Sequence, residues 1–268
     1  MSIIFSEFLW KKLKNFISPN NYPVLPCPYC NSMKLKLQLD TFEYRGVPSN
    51  VGNFSVNRHK SVAISGFATA FKEEKFLDLL YHGFMAFDHN KYDPGKFIVF
   101  FQCEDCFNTV SATGSALIPN QFSDENSLIT IKAEYFSPSL PIFPIEDCIP
   151  ATIVEELLYA FNYFHSDLPA SGGKLRRAME KMCVELGFSE KTLHKSIQAM
   201  TIKFPEEGAW LATLKLVGNE ATHSDGLDET DLLYSFGIFE AALLIFKRRK
   251  LSEAIAKTLP KIEQKFLK

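Results

Sequence analysis

At 268 residues and 46% hydrophobic content, the chain can build one large or two modest packed domains, and it is too apolar for a disordered polymer. A net charge of −2 excludes a global basic field for nucleic acid, so any such contact must come from a local patch. No run of about 18 uncharged apolar residues occurs, so no helical membrane span is expected; the longest apolar stretch, 232–246, is too short and contains Glu240.

Residues 4–17 predict an amphipathic helix with Phe5, Phe8, Leu9, Leu13, Phe16 and Ile17 on one stripe, ended by Ser18-Pro19-Asn20-Asn21. Lys11, Lys12 and Lys14 break its apolar character, so it does not read as a secretion signal. Cys27-Pro28-Tyr29-Cys30 comes next. The alternation over 33–39 predicts a half-buried strand. Residues 45–60 are rich in Gly, Asn and Ser and predict a loop, and 67–83 predict a helix. A strand over 96–102 leads into Cys103-Glu104-Asp105-Cys106, and 109–118 and 128–136 predict further strands.

Pro138, Pro141, Pro144 and Pro150 disfavour helix interiors and central strands, which places a domain boundary near 137–150. Helices are expected beyond it. The first covers 151–164. The second covers 172–186, with Ser171 as N-cap, Gly187 closing it, and Leu175, Ala178, Met179, Met182, Cys183 and Leu186 on its apolar face. A third spans 189–203, and a fourth spans 210–223 with Leu211, Leu214 and Val217 inward. The fifth starts at Asp228 and closes at Lys247-Arg248-Arg249-Lys250, a charge order that suits the helix dipole, and a short tail helix follows. The expected fold class is α+β: a mostly β, zinc-ribbon-like module with a long helical insertion over 1–144, and an all-α bundle over 145–268.

Two Cys-x-x-Cys knuckles can place four thiolates, Cys27, Cys30, Cys103 and Cys106, around one tetrahedral Zn²⁺. Residues 31–102 separate them, 72 residues against the roughly 15–20 of a simple ribbon, so one ion would clasp the ends of a long insertion. Four thiolates leave no open position for water, which makes the site structural rather than catalytic. The competing readings are a redox pair or unrelated core thiols. Zinc thiolates without a secretion signal point to a reducing cytoplasm. Cys183, on an apolar helix face, reads as a small core residue.

The runs Leu175-Arg176-Arg177-Ala178-Met179-Glu180, Leu193-His194-Lys195-Ser196-Ile197 and Val217-Gly218-Asn219-Glu220-Ala221-Thr222-His223 resemble the domain of unknown function family 4145. This is a HEPN-like helical domain family whose members often carry an N-terminal zinc knuckle and a Pro-rich junction. The resemblance implies a ribonuclease or a catalytically silent partner in bacterial antiviral defence or toxin systems, often dimeric. The active motif it implies is Arg, then four to six residues, then His, usually with a polar residue right after the Arg. Asn219 and His223 fit the polar and His positions, while Gly218 stands at the Arg position.

On a helix Asn219 and His223 share a face, with Lys215 on the same stripe. A His of near-neutral pKa can take the proton of a ribose 2′-OH, and Arg176 or Arg177 is the candidate cation for the charged transition state. The bland alternative is that Asn219 and His223 cap and tie helices. Lys174, Arg177 and Lys181, at i, i+3 and i+7, form a basic face, and with Lys215 they are the candidate nucleic-acid contacts; Ser171-Gly172-Gly173 at a helix start would add backbone donors. A solvated charge stripe is the alternative. His59, His82, His89, His165 and His194 show no motif partner. The sequence thus predicts an RNA-directed effector or a non-catalytic dimerisation and protein-interaction module. Its expected associations are a homodimer, RNA and a partner protein encoded nearby, with no membrane.

Overall fold

The computed structural model describes residues 7–48, 91–223 and 228–266, apart from the side chains of Glu7 and of 218–223. The helix expected over 67–83, most of the loop expected over 45–60, and Phe5, His59, His82 and His89 lie outside the described residues. The fold is mixed α+β, with an antiparallel sheet region followed by a helical region, and it divides into two compact units after Pro138.

In the first unit α1 (Glu7–Leu13) precedes β1 (Leu35–Leu37), β2 (Glu43–Gly46), β3 (Tyr92–Cys103), β4 (Thr109–Pro119) and β5 (Thr130–Ser137). The strand β3 organises the sheet: β1 and β2 pair with successive stretches of one edge, β4 pairs with the other, and β5 lies beyond β4, all antiparallel. Its period-two pattern explains this. Phe97, Val99, Phe101 and Cys103 point into the core, while Ile98 and Phe100 point outward. Trp10, Leu25, Leu35, Phe101, Ile131 and Phe136 are almost fully buried, with Tyr22, Phe101 and Phe136 meeting edge to face at 5.5 and 6.0 Å. At the β4–β5 bulge, a Cβ on Gly114 would stand 2.1 Å from the Lys132 carbonyl oxygen, so only glycine fits there.

Two elements are shorter than the sequence predicts. The helix ends at Leu13 because Ile17 is taken by a backbone bridge to Ile131, and Phe8 is exposed rather than on the buried stripe. The strand β1 stops at Leu37 because Thr41 turns the chain: its hydroxyl donates to the Gln38 carbonyl and accepts the Phe100 N–H.

The second unit begins before its first helix. Leu140, Ile142 and Phe143, between the prolines, are buried, and Phe143 packs on Phe161 at 5.2 Å. There follow α2 (Ala151–Phe164), α3 (Leu168–Glu185), α4 (Leu193–Lys203), α5 (Pro205–His223) and α6 (Glu229–Phe266). Phe161, Phe236, Phe239, Leu157, Met179 and Met182 form the core. Gly187, at φ +91°, closes α3 with the paired bonds of a Schellman turn, Phe188 N–H to Cys183 O and Gly187 N–H to Val184 O.

Four helix boundaries differ from expectation. The helix α4 begins at Leu193 rather than at 189, because the Thr192 hydroxyl caps it by accepting the Lys195 N–H. The N-cap of α3 is Asp167, whose carboxylate accepts the Ala170 N–H, so Ser171, Gly172 and Gly173 lie inside the helix. There Ser171 is buried and donates to the Ala160 carbonyl; these residues serve close α2–α3 packing and do not offer a helix start to a phosphate. Next, α5 starts at Pro205, five residues early, because proline suits a first helical position. Finally, α6 does not end at Lys250. It opens on reciprocal Asp228 and Asp231 caps and continues as one helix through Pro260 to Phe266.

Candidate metal centre and the polar faces of the helices

The β1–β3 pairing sets Leu35 opposite Cys103 and so brings the two knuckles together. All four Sγ atoms lie within 4.8 Å of one another, with Cys27–Cys106 at 3.6 Å and Cys30–Cys103 at 3.7 Å. A tetrahedron of metal–thiolate bonds of about 2.3 Å has edges of about 3.8 Å. A disulfide would need about 2.05 Å. The four sulfurs therefore suit one tetrahedral metal ion.

The two knuckles are built alike. In each, the amide after the second cysteine donates to the carbonyl of the first: Asn31 to Cys27 at 2.9 Å and Phe107 to Cys103 at 3.0 Å. The first cysteine's own amide reaches five residues on, to Ser32 at 2.8 Å and Asn108 at 3.0 Å. Asn31 and Phe107 both take the left-handed conformation, at φ 58° and 59°. Asparagine tolerates it; an exposed phenylalanine adopts it at a cost.

Burial pushes the Cys27 thiol up to about 12, against the amides of Tyr29 and Cys30 that point at its sulfur. Burial also pushes on Cys103, but the Ser32 hydroxyl and the amides of Cys106 and Asp105 outweigh it and bring that thiol down to about 6. The Ser32 hydroxyl likewise holds Cys30 below its ordinary value. Ser32 sits 3.3 Å from both Cys30 and Cys103, and Asn108 Nδ2 is 3.5 Å from Cys106. Sequence reasoning did not single these two out, although each stands two residues after the second cysteine of its knuckle. Exposed ion pairs Lys34–Asp105 at 2.7 Å and Lys36–Glu104 at 2.6 Å cross from one knuckle segment to the other. Burial, then Glu180, raises Cys183 to about 11, as suits a core thiol.

In the helical unit the expected basic face is largely matched from within. Glu156 of α2 is buried, and its carboxylate meets Lys174 at 2.9 Å and Arg177 at 3.0 Å. The Lys174 ammonium also sits 4.4 Å from the Tyr159 ring centre. Burial opposes the charge on Glu156, yet Lys174 and Arg177 hold its pKa below the usual carboxylate value. Arg176 meets Glu180 one turn on, at 3.5 Å, while Lys181 is exposed. A pairing the sequence did not suggest joins α4 to α5: Lys215 Nζ lies 3.3 Å from His194 Nδ1. Asn219 and His223 are on α5, one and two turns beyond Lys215, and their side chains lie outside the described residues.

Residues 159–265 match the model of the domain of unknown function family DUF4145. The DUF4145 match runs from α2 through most of α6 and contains all three motif runs, 175–180, 193–197 and 217–223. No curated protein and no solved structure matches the chain. Among the described residues no helix is long and apolar enough to cross a membrane.

Proposed function

We propose that this chain is a non-catalytic dimerisation and protein-interaction module: a HEPN-like helical domain joined to a zinc-ribbon-like β module held by one structural Zn²⁺. The observation that carries this reading is the internal matching of the α3 cations. Arg176, Arg177 and Lys174, on which a phosphate-cleaving site would draw, already face Glu180 and Glu156. Gly218 at the motif's Arg position removes the remaining cation of that pattern. Four soft thiolates at tetrahedral spacing select zinc among common divalent ions and suit a reducing cytoplasm. The residues that hold the ion are Cys27, Cys30, Cys103 and Cys106. Bound there, Zn²⁺ supplies a cross-link and not a reaction centre.

A second reading is an RNA-directed effector of defence or toxin type, cutting RNA without a metal. The Lys215–His194 contact favours it, because it sets an imidazole of α4 beside the lysine of the α5 stripe that leads to Asn219 and His223. One experiment separates the two. Pooled cellular RNA is incubated with the zinc-loaded wild type and with His223→Ala, no other divalent ion being added, and binding is followed for wild type and Lys215→Glu. No cleavage and no Lys215-dependent binding is the result expected for the interaction module. Cleavage by wild type that His223→Ala abolishes would overturn it in favour of the nuclease.

A further inference from the structure

The last twenty residues of α6 are a basic amphipathic arm. Every residue from Lys247 to Phe266 is exposed, whereas Ile245 and Phe246 just before them are buried. Leu251, Ile255, Leu259, Ile262 and Phe266 are each about half-exposed or more. At 100° per residue they fall within about 80° of arc, one continuous stripe. The arm carries seven cations against two carboxylates, a net of five positive charges, which leaves the rest of the chain at minus seven. Lys265 flanks this stripe and Lys261 lies further round on the same side, while Lys257 is on the opposite face. A lone helix of this length is marginal in water, so such a stripe calls for a cover.

A matching surface exists in the same unit. A shallow groove of about 440 Å³ has Ile145, Ile149, Val154 and Leu158 along it and Glu146, Asp147 and Glu155 as its carboxylates. The start of the arm is tied to it, since Lys247 Nζ lies 2.7 Å from Glu146. The arm then runs about 28 Å at 1.5 Å per residue. If two arms lie antiparallel about a twofold axis, the far end of each arrives beside residue 247 of the other, and therefore beside the other copy's groove.

We propose that the occupant of the groove is the arm of a second copy. Ile262 and Phe266 seat on Ile145, Ile149, Val154 and Leu158, and Lys261 and Lys265 face Glu146, Asp147 and Glu155. The contact is isologous and occurs twice per pair, as a closed dimer requires. Charge selects this partner: a side-by-side zipper of two arms alone would bring like charges together over only about two heptads, whereas the groove supplies carboxylates. The inference rests on the reading of the chain as a dimerisation module and names the surface that reading leaves open.

The test is light scattering of the full chain over a dilution series, without RNA. Wild type is expected to dimerise. Ile262→Glu should weaken the dimer by on the order of 100-fold, and Lys261→Glu by about tenfold, while the melting of the helical core, compared at dilutions where every variant is monomeric, is unchanged because both side chains are exposed. Adding Glu155→Lys to Lys261→Glu should restore it. A monomeric wild type overturns the inference; if that monomer sediments with phosphatidylserine vesicles through Ile262, the arm's occupant is lipid. A dimer indifferent to Ile262→Glu, or a Lys261→Glu defect that Glu155→Lys does not repair, overturns the inference while leaving a dimerisation module in place.

Discussion

The β unit and the helical unit solve the same problem in opposite ways. In the β unit, residues 25–37 pair with the end of β3 through a strand of only three residues, and a metal held by the cysteine tetrad would clasp the two segments. In the helical unit, neighbouring helices meet through short connections, as where the Ser171 hydroxyl of α3 donates to the Ala160 carbonyl of α2 at 2.8 Å, and the more distant α2 and α6 share one aromatic core, Phe161 meeting Phe236 at 5.3 Å. A local chain order lets helices collect apolar faces cheaply. A sheet whose partners are separated by a long insertion pays for loop closure and gains from a clasp. The contrast is that the cysteine tetrad stands where a three-residue strand has to hold the two ends of a long insertion, whereas the helical unit closes a separation just as long on an aromatic core.

Removing the metal is the strongest way to break this contrast. Chelation, or Cys27→Ser, should unfold the β unit while the helical unit keeps its far-ultraviolet helix signal; structural zinc–thiolate sites are worth on the order of 10 kcal/mol. Metal analysis beside limited proteolysis reads this, and loss of both units together would refute it. The converse is Phe161→Ala in the helical core. It should cost about 3–5 kcal/mol and lower the helical transition, with metal content unchanged.

Glu156→Gln sharpens the comparison inside the helical unit. Two cations would lose their shared carboxylate, at about 1–3 kcal/mol. The pKa of Glu156 is lowered on folding, so its contribution is present above the ordinary carboxylate pKa and is lost as pH falls through the lowered value. Wild type should therefore lose helical stability on acidification more steeply than Glu156→Gln; equal slopes in denaturant titrations would contradict the ion pairs. The smallest effect is a gain. Phe107→Gly should raise the melting point of the metal-loaded β unit, by about 1 kcal/mol of stability, because glycine accepts φ 59° without a Cβ penalty. A lower melting point would mean the Phe107 ring packs more than its exposure indicates.

Much of the fold was legible in the chain. The apolar, aromatic-rich run over 96–102 marked β3, and 109–118 marked β4, because such residues suit a pleated, partly buried surface. Gly187 marked the end of α3, because few other residues take its φ. The cysteine cluster was legible because two x2 spacings among six cysteines have few other uses. The failures are equally physical. Ser171 looked like an N-cap since serine favours that position, but Asp167 had already capped the helix, and the same small residues were wanted for packing. The basic face of Lys174 and Arg177 looked open because Glu156 sits on another helix, 18 and 21 positions away, a distance no helical wheel covers.

By itself the sequence marked most of the strands and helices and two knuckles whose four thiols could share a metal, because turn, cap and knuckle patterns each span only a few positions. Only the tertiary structure decided that the knuckles converge at tetrahedral spacing, that Glu156 matches two of the α3 cations, and that α6 runs on past Phe246 as an exposed amphipathic arm. Those outcomes depend on which faces meet across long separations, and burial, pairing and exposure are properties of that meeting.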